Sequence, residues 1–365
     1  MKIAIIALTK NGVELAGKIG RELDADLYLK NDFIEKVILN GELFMIHPFS
    51  VDFHGMIEKI FFKYDALIFI MACGIAVRSI APYIKDKQSD PAVVVVDELG
   101  RFAVSLLSGH IGGANRLAGR VAALMGGVPI ITTATDINGV IAFDELAADN
   151  GCAIENIESL KYISSELVNG GKVSFFSDCR TAGVLPRNIE AVVSGQTCKL
   201  AVAVTNSTTA PVAAERVLYL RPRNLIIGIG CKKGKTKREI EDAVMDFIQK
   251  NRKSMLSVKG MASISIKANE RGILDFCSEK NIPFKTFSAE EIKTVEHRFP
   301  SSDFVKKVTG VGGVSEACAV LAGMHGGRRN GEEQPAGGSP KLICRKTVNN
   351  GITLALAEEE RVFSL

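Results

Sequence analysis

Residues 92–115 read AVVVVDELGRFAVSLLSGHIGGAN, and the pattern of this stretch decides the fold. Two apolar runs, 92–97 and 102–107, flank Glu98-Leu99-Gly100-Arg101, a glycine-bearing spacer that predicts a hairpin. The second arm passes directly into Ser108-Gly109-His110-Ile111-Gly112-Gly113-Ala114-Asn115. Leu117, Ala118, Val121, Leu124 and Met125 then recur at helical spacing until Gly126-Gly127 ends them. Strand 128–132 follows. Strand, loop, helix and strand in that order make an α/β unit.

The same alternation extends toward the N-terminus. Residues 2–8 (KIAIIAL) form an unbroken apolar run, as in a strand covered on both faces. Val13, Leu15, Ala16, Ile19 and Leu23 predict a helix, Tyr28 a short strand, and Met56, Ile57, Ile60 and Phe61 another helix. Strand 66–72 (ALIFIMA) meets Cys73-Gly74, which opens a helix closed by Pro82. Residues 146–222 differ: short strands at 172–176, 199–205 and 217–220 lie among Gly, Asn, Ser and Pro turns. From Asn224 the alternation resumes with strand 224–229 and a helix carrying Ile240, Ala243, Val244, Phe247 and Ile248. Thr236 with Glu239, and later Ser288 with Glu291, read as capping boxes that begin helices. Strands at 262–266, 284–287, 341–345 and 352–357, with helices at 270–279 and 315–324, complete the region; the polar stretch 325–340 reads as a loop. At 365 residues the chain exceeds the roughly 250–300 that one core supports. The expected fold class is therefore α/β: two α/β domains with mainly parallel sheets, 1–145 and 223–365, separated by a small strand-rich middle domain, 146–222.

Composition narrows the function classes. No apolar run reaches the roughly 20 residues of a membrane span, and the apolar start lacks a small-residue cleavage site, so no membrane partner is expected. Eight widely scattered cysteines with no CxxC read as reduced thiols of a cytoplasmic protein, neither a disulfide framework nor a metal site. Residues 223–365 carry 24 Lys and Arg against 17 Asp and Glu, and residues 1–222 carry 21 against 24. A basic domain beside an acidic one suits an anionic partner. With Trp absent and aromatics at 6%, base-stacking platforms are poorly supplied and nucleic acid is not expected.

Three stretches could carry chemistry. In Ser108–Asn115, glycines allow close backbone approach and a helix start offers free N–H groups to an anion, with His110 beside them as an acid or base near neutral pH. A tight strand-to-helix turn holding a hydrogen-bonded imidazole explains the residues equally well. Gly228-Ile-Gly230-Cys-Lys232-Lys-Gly234-Lys-Thr236 meets neither nucleotide motif: a P-loop needs a glycine, four residues and then Gly-Lys-Thr, and counting back from Gly234 lands on Ile229, with Gly228 and Gly230 each one position off, while the third glycine of a dinucleotide fingerprint arrives one residue late. Lys235, Lys237 and Arg238 sit at a helix start, where the dipole disfavours cations by a few tenths to about 1 kcal/mol each, a cost that a bound carboxylate would offset. Cys73-Gly74 opens a helix that carries Arg78; here a small buried thiol competes with a reactive one, and an ion pair with a carboxylate grip. Asp97-Glu98 fit an ordinary turn, and Glu270 and Glu316 stand at helix starts, where capping alone would place them. His47, His54, His297 and His325 show no metal-ligand spacing, and no G-x-S-x-G elbow is present.

Taken in order, these segments resemble the cobalt-precorrin-5A hydrolase family of anaerobic cobalamin biosynthesis. The resemblance rests on Cys73-Gly74-Ile75, Asp90-Pro-Ala-Val93, Val96-Asp97 and Leu106–Asn115 toward the N-terminus. It continues through Gly228–Gly234, Ile264–Glu270, Phe287–Glu290, Gly310-Val-Gly312 and Val314-Ser-Glu316-Ala, and spans nearly the whole chain. The long loop at 325–340 departs from the family, whose connection there is shorter. The resemblance implies a cobalt-bearing, polycarboxylate tetrapyrrole as substrate, opening of its ring A lactone by water, and loss of acetaldehyde. No cofactor is expected beyond the cobalt that the substrate brings. Our assignment of roles places His110 and Asn115 at the chemistry, with Gly112-Gly113 N–H groups facing the lactone oxyanion. Cys73, Gly74, Arg78, Ser108, Gly112, Gly113, Gly228, Gly230, Lys232, Gly234, Lys267, Glu270 and Glu316 are expected to hold the substrate between the two α/β domains. Candidate partners besides the substrate are neighbouring corrin-pathway enzymes and a second copy of the chain. The competing expectation is a non-catalytic carrier of cobalt corrinoids.

Overall fold

A computed structural model describes residues 1–33, 45–49, 52–86, 89–110, 112–324, 328–329, 332–333 and 340–365. The expected loop at 325–340, His325 and Ile111 fall largely or wholly outside them. The described residues divide into two compact units, Met1–Glu145 and Leu146–Leu365.

In the first unit seven strands form one sheet in the order Ile46–Phe49, Asp26–Lys30, Ile3–Ala7, Ala66–Ile70, Ala92–Val96, Phe102–Leu107, Val128–Ile130. Strand Ile3–Ala7 is buried at every position, as its unbroken apolar run requires. Ile3, Ile5, Ala7, Ile68 and Val94 pack on one face against helices Lys10–Leu23 and Ala114–Met125. Ala4, Ile6, Phe69 and Val95 pack on the other against Phe53–Ile60 and Cys73–Ile80. Each fully buried Ile or Phe contributes about 1.5–3 kcal/mol relative to exposure. In helix Ala114–Met125 the buried positions are Leu117, Ala118, Val121 and Ala122, whereas Leu124 is exposed. Leu124 had been expected on the core face. At about 100° per residue Leu124 falls roughly 20° outside Leu117, at the margin of the stripe that Leu117, Val121, Ala118 and Ala122 define, and it sits in the last turn of the helix.

The first five strands run parallel, and the hairpin reverses the last two: Val93 pairs with Leu107 and Val96 with Ala103 in antiparallel register. This reversal positions the loops. Cys73 follows Ile70, which pairs with Val96, while Ser108 follows Leu107 at the opposite end of the sheet. The two segments are separated by the length of a five-residue strand, roughly 17 Å.

The second unit contains two five-stranded sheets. The first has the order Ile189–Ala191, Val173–Ser177, Thr197–Val204, Ala213–Pro222, Cys152–Glu155, parallel except for the last pairing. Helix Glu158–Val168 packs here through Leu160, Ile163 and Leu167, an element that the strand-rich reading missed. Arg221 is 2% exposed; its Nε donates to Glu155 Oε2 at 2.6 Å and its Nη1 to the carbonyls of Thr205 and Ser207 at 3.0 and 2.5 Å. The second sheet has the order Phe284–Phe287, Val258–Ile264, Leu225–Cys231, Ile352–Glu358, Lys341–Asn349, with the first three strands parallel and the last two pairings antiparallel. Strand Val258–Ile264 begins four residues earlier than expected, and Ser265–Lys267 form a 3₁₀ turn. Both expected capping boxes are present. A parallel bridge between Arg180–Ala182 and Val362–Ser364 ties the two sheets into one unit. Asn206 and Asn224 reinforce it, each donating to Glu358 Oε1 at 2.7 and 3.2 Å.

Candidate active site

The loop after strand Phe102–Leu107 turns sharply because Ser108 takes a left-handed conformation, φ 57°, and Gly113 another, φ 85°. A Cβ at Gly112 would lie 2.4 Å from the Ser108 Cβ, so the turn admits only glycine there. Ser108 Oγ donates to the Asp90 carbonyl at 3.0 Å, fixing the turn to the adjacent strand's approach. These constraints aim His110 at two segments that sequence reasoning left unassigned: helix Ala134–Ile137, and Phe143–Asp149, which runs across the unit boundary.

His110 is held at both ring nitrogens. Nδ1 lies 2.9 Å from Glu145 Oε1, and Nε2 lies 2.8 Å from Thr135 Oγ1 and 3.7 Å from Asp136 Oδ2. Its side chain is 17% exposed. The hydrogen bond to Glu145 raises the imidazole pKa above its ordinary value; burial opposes this, and the charges of Asp144, Glu145 and Asp136 add to the rise. Asn115 is buried beside them. Its Oδ1 accepts from Ser105 Oγ at 2.7 Å, and its Nδ2 donates to Thr133 Oγ1 and Asp136 Oδ2 at 3.3 and 3.1 Å.

Two expectations change here. Asn115 was placed at the chemistry, but both ends of its amide are engaged, and it braces Thr133 and Asp136. Gly113 was expected to offer its N–H to an oxyanion, yet that N–H donates to the His110 carbonyl at 2.9 Å, and those of Ala114 and Asn115 donate to Ser108 and Gly109. Thr133, Thr135, Asp136, Asp144 and Glu145 were missed. For Thr133, Thr135 and Asp136 the signal was the hydroxyl- and carboxylate-rich run Thr132-Thr133-Ala134-Thr135-Asp136 directly after a strand; Asp144 and Glu145 lie outside that run. His110, Asp136 and Glu145 also bring one potential ligand atom each within 4.8 Å of one another, close enough for a cation to bridge. In this arrangement the imidazole nitrogens are instead bonded to Glu145 and Thr135.

A raised folded pKa means that the folded state binds the proton more tightly than the unfolded chain. The resulting stabilisation is fully present below the unfolded value of about 6.5 and is lost as pH rises through the folded value. Chemical denaturation of the wild type and His110→Gln should therefore show a stability difference that is largest near pH 6 and shrinks on raising the pH. A difference that grows with pH would contradict this arrangement.

Cys73, Gly74 and Arg78 are exposed and lie at the opposite end of the strands from His110, so the structure does not bring the two groups together. The reason is the antiparallel reversal of the hairpin.

In the second unit the structure gathers Gly234, Lys267 and Glu270. Glu270 accepts from the Gly234 N–H at 2.8 Å and from Lys267 Nζ at 2.8 Å. Lys232 is exposed, with its N–H donating to the Gly351 carbonyl in the facing hairpin at 2.9 Å. Gly228 and Gly230 have packing reasons for lacking a side chain. A Cβ on Gly228 would lie 1.7 Å from the Ser315 carbonyl of helix Ser315–Met324, and one on Gly230 would lie 2.6 Å from Thr353 Oγ1. Glu316 is buried and accepts from the Lys346 N–H at 3.3 Å. The cations at the start of helix Lys237–Lys250 do not require a bound carboxylate. Lys235 pairs with Glu239 at 2.6 Å and Lys237 with Glu279, so protein carboxylates answer two of the three charges.

Three family models match in order along the chain: Cobalamin synthesis G N-terminal over residues 55–136, Cobalamin biosynthesis central region over 141–222, and Cobalamin synthesis G C-terminus over 225–357. The chain is 34% identical over 329 residues to a Salmonella typhimurium protein named cobalt-precorrin-5A hydrolase, covering 87% of this chain and 91% of that one. It is 35% identical over 334 residues to a Priestia megaterium protein of the same name, covering 87% and 88%. A solved structure of a cobalamin biosynthesis protein G homolog from Sulfolobus solfataricus aligns over 98% of this chain and 97% of its own at 23% identity and a TM-score of 0.39.

Proposed function

The chain belongs to the cobalamin synthesis G family, and from that premise we propose that it is a cobalt-precorrin-5A hydrolase. The observation that carries this reading is the match to two relatives bearing that name over 87% of the chain, across all three family regions.

In the proposed reaction water adds to the lactone carbonyl of ring A. The ring C–O bond breaks, leaving a carboxylate and an alkoxide. The alkoxide collapses to a carbonyl, the carbon bearing it leaves with its methyl as acetaldehyde, and the bonding electron pair passes into the conjugated macrocycle, which is then protonated. The cobalt belongs to the substrate, and its ring system provides the electron sink.

Such a reaction asks the protein mainly to move protons and hold carboxylates. His110 Nε2 is the group we assign to proton transfer, taking a proton from the attacking water and returning one to the product. Its surroundings support this: Glu145 behind Nδ1 and the polar side chains of Thr135 and Asp136 around Nε2. The exposed Lys232 and Lys233 suit substrate carboxylates. Among the described residues no helix is long and apolar enough to cross a membrane, and we place the protein in the cytoplasm.

The test is anaerobic incubation of the purified protein with enzymatically made cobalt-precorrin-5A, followed by trapping of acetaldehyde. Acetaldehyde formed only in the presence of the protein is the expected result. Tight binding of the corrinoid without acetaldehyde would replace the hydrolase reading with that of a carrier.

A further inference from the structure

His110 does not stand alone: its orientation depends on a carboxylate 35 residues further along the chain. An ionised carboxylate can only accept, so Glu145 Oε1 requires the hydrogen on Nδ1. That leaves Nε2 as the nitrogen able to exchange a proton, with Thr135 Oγ1 2.8 Å away as the donor to its lone pair. Glu145 lies on a partly buried segment: Phe143, two residues before it, is 1% exposed, and the Glu145 N–H donates to Asp144 Oδ1 at 3.2 Å.

We propose that Glu145 is a positioning residue for the hydrolysis: it holds His110 in the tautomer protonated on Nδ1 and so makes Nε2 the proton-transfer atom. The proposal rests on the reading of the protein as a hydrolase that uses His110. Glu145 need not touch the substrate. A carboxylate behind an imidazole selects its tautomer, fixes its ring plane and stabilises the imidazolium that forms when Nε2 takes a proton. The charges that raise the imidazole pKa belong to Glu145, Asp144 and Asp136, all acidic, so the imidazolium gains from each. Glu145 alone bonds to a ring nitrogen at 2.9 Å, whereas Asp136 stands 3.7 Å from Nε2.

Glu145→Gln and Glu145→Asp in the full chain test this. Glu145→Gln is expected to lower kcat for acetaldehyde release about 10²- to 10⁴-fold, the upper end being the loss when the carboxylate behind a catalytic imidazole becomes an amide and the tautomer is wrong. KM should stay unchanged, because the loss arises in the transition state. The acid limb of the pH–rate profile should move to lower pH, because the largest influence raising the His110 pKa is gone. Glu145→Asp should recover part of kcat. In the wild type, nitrogen NMR at a pH where the His110 ring is neutral should find its single proton on Nδ1. Wild-type kcat and an unmoved acid limb in Glu145→Gln would overturn the proposal, as would a neutral His110 ring carrying its proton on Nε2. If the wild type itself releases no acetaldehyde, the hydrolase reading fails first. If the wild type is active and Glu145→Gln matches it, only the role of Glu145 fails.

Discussion

His110→Ala is expected to reduce acetaldehyde release from cobalt-precorrin-5A about 10²- to 10⁴-fold, the range that a positioned acid–base group contributes. The protein should still fold, because the ring packs in a polar pocket at the sheet edge and not in either apolar layer. The substitution leaves Glu145 and Asp136 without their shared partner, but their side chains are 25% and 30% exposed, so water can solvate them. Binding of the corrinoid should survive, since the side chains assigned to its carboxylates are elsewhere. The measurement is a pair of assays on the same preparation, acetaldehyde release and corrinoid affinity. Turnover within a few-fold of wild type would remove His110 from the chemistry while leaving the family assignment intact.

Arg221→Ala is expected to cause the largest loss of stability. Arg221 belongs to strand Ala213–Pro222 and pairs with Ala153 of Cys152–Glu155, and its guanidinium spans Glu155 and the carbonyls of Thr205 and Ser207. Removing one partner of a buried ion pair typically costs about 3–5 kcal/mol. The low end, about 3 kcal/mol, applies because the Glu155 side chain is 37% exposed and can take up water, whereas the Thr205 carbonyl cannot. In a unit of this size that corresponds to a fall of roughly 6–12 °C in its melting temperature. Calorimetry of the variant reads this directly. A fall under about 2 °C would mean that the guanidinium is dispensable to the sheet.

Much of the fold was legible because it was written in local signals. The unbroken apolar runs at 2–8, 66–72 and 92–96 can only be strands covered twice, and the two capping boxes mark helix starts by residues three apart. Helix Glu158–Val168 was equally local, with Leu160, Ile163 and Leu167 at helical spacing, but the reading of 146–222 as short strands among turns leaves this segment unassigned. The site was legible only in part. The glycines of Ser108–Asn115 marked a constrained turn, and the constraint is present at Ser108, Gly112 and Gly113. What the imidazole meets, however, is set by where Thr135 and Glu145 arrive in space, and no spacing rule joins residues 25 and 35 positions apart. The separation of Cys73 from His110 could have been deduced. The predicted hairpin already required the second arm to run back toward the end of the sheet where the first arm began.

The strand bridge between Arg180–Ala182 and Val362–Ser364 makes the order of synthesis matter. Arg180–Ala182 leaves the ribosome about 180 residues before its partner exists. At about 5–20 residues per second, that strand waits roughly 10–40 s with its backbone donors and acceptors unpaired. An unpaired strand is a template for pairing with another chain. Nascent copies on neighbouring ribosomes are the nearest such chains, so the yield of soluble protein should depend on chaperone supply and on slow expression. The Met1–Glu145 sheet has no such delay, because each of its strands meets its partners within the first 145 residues.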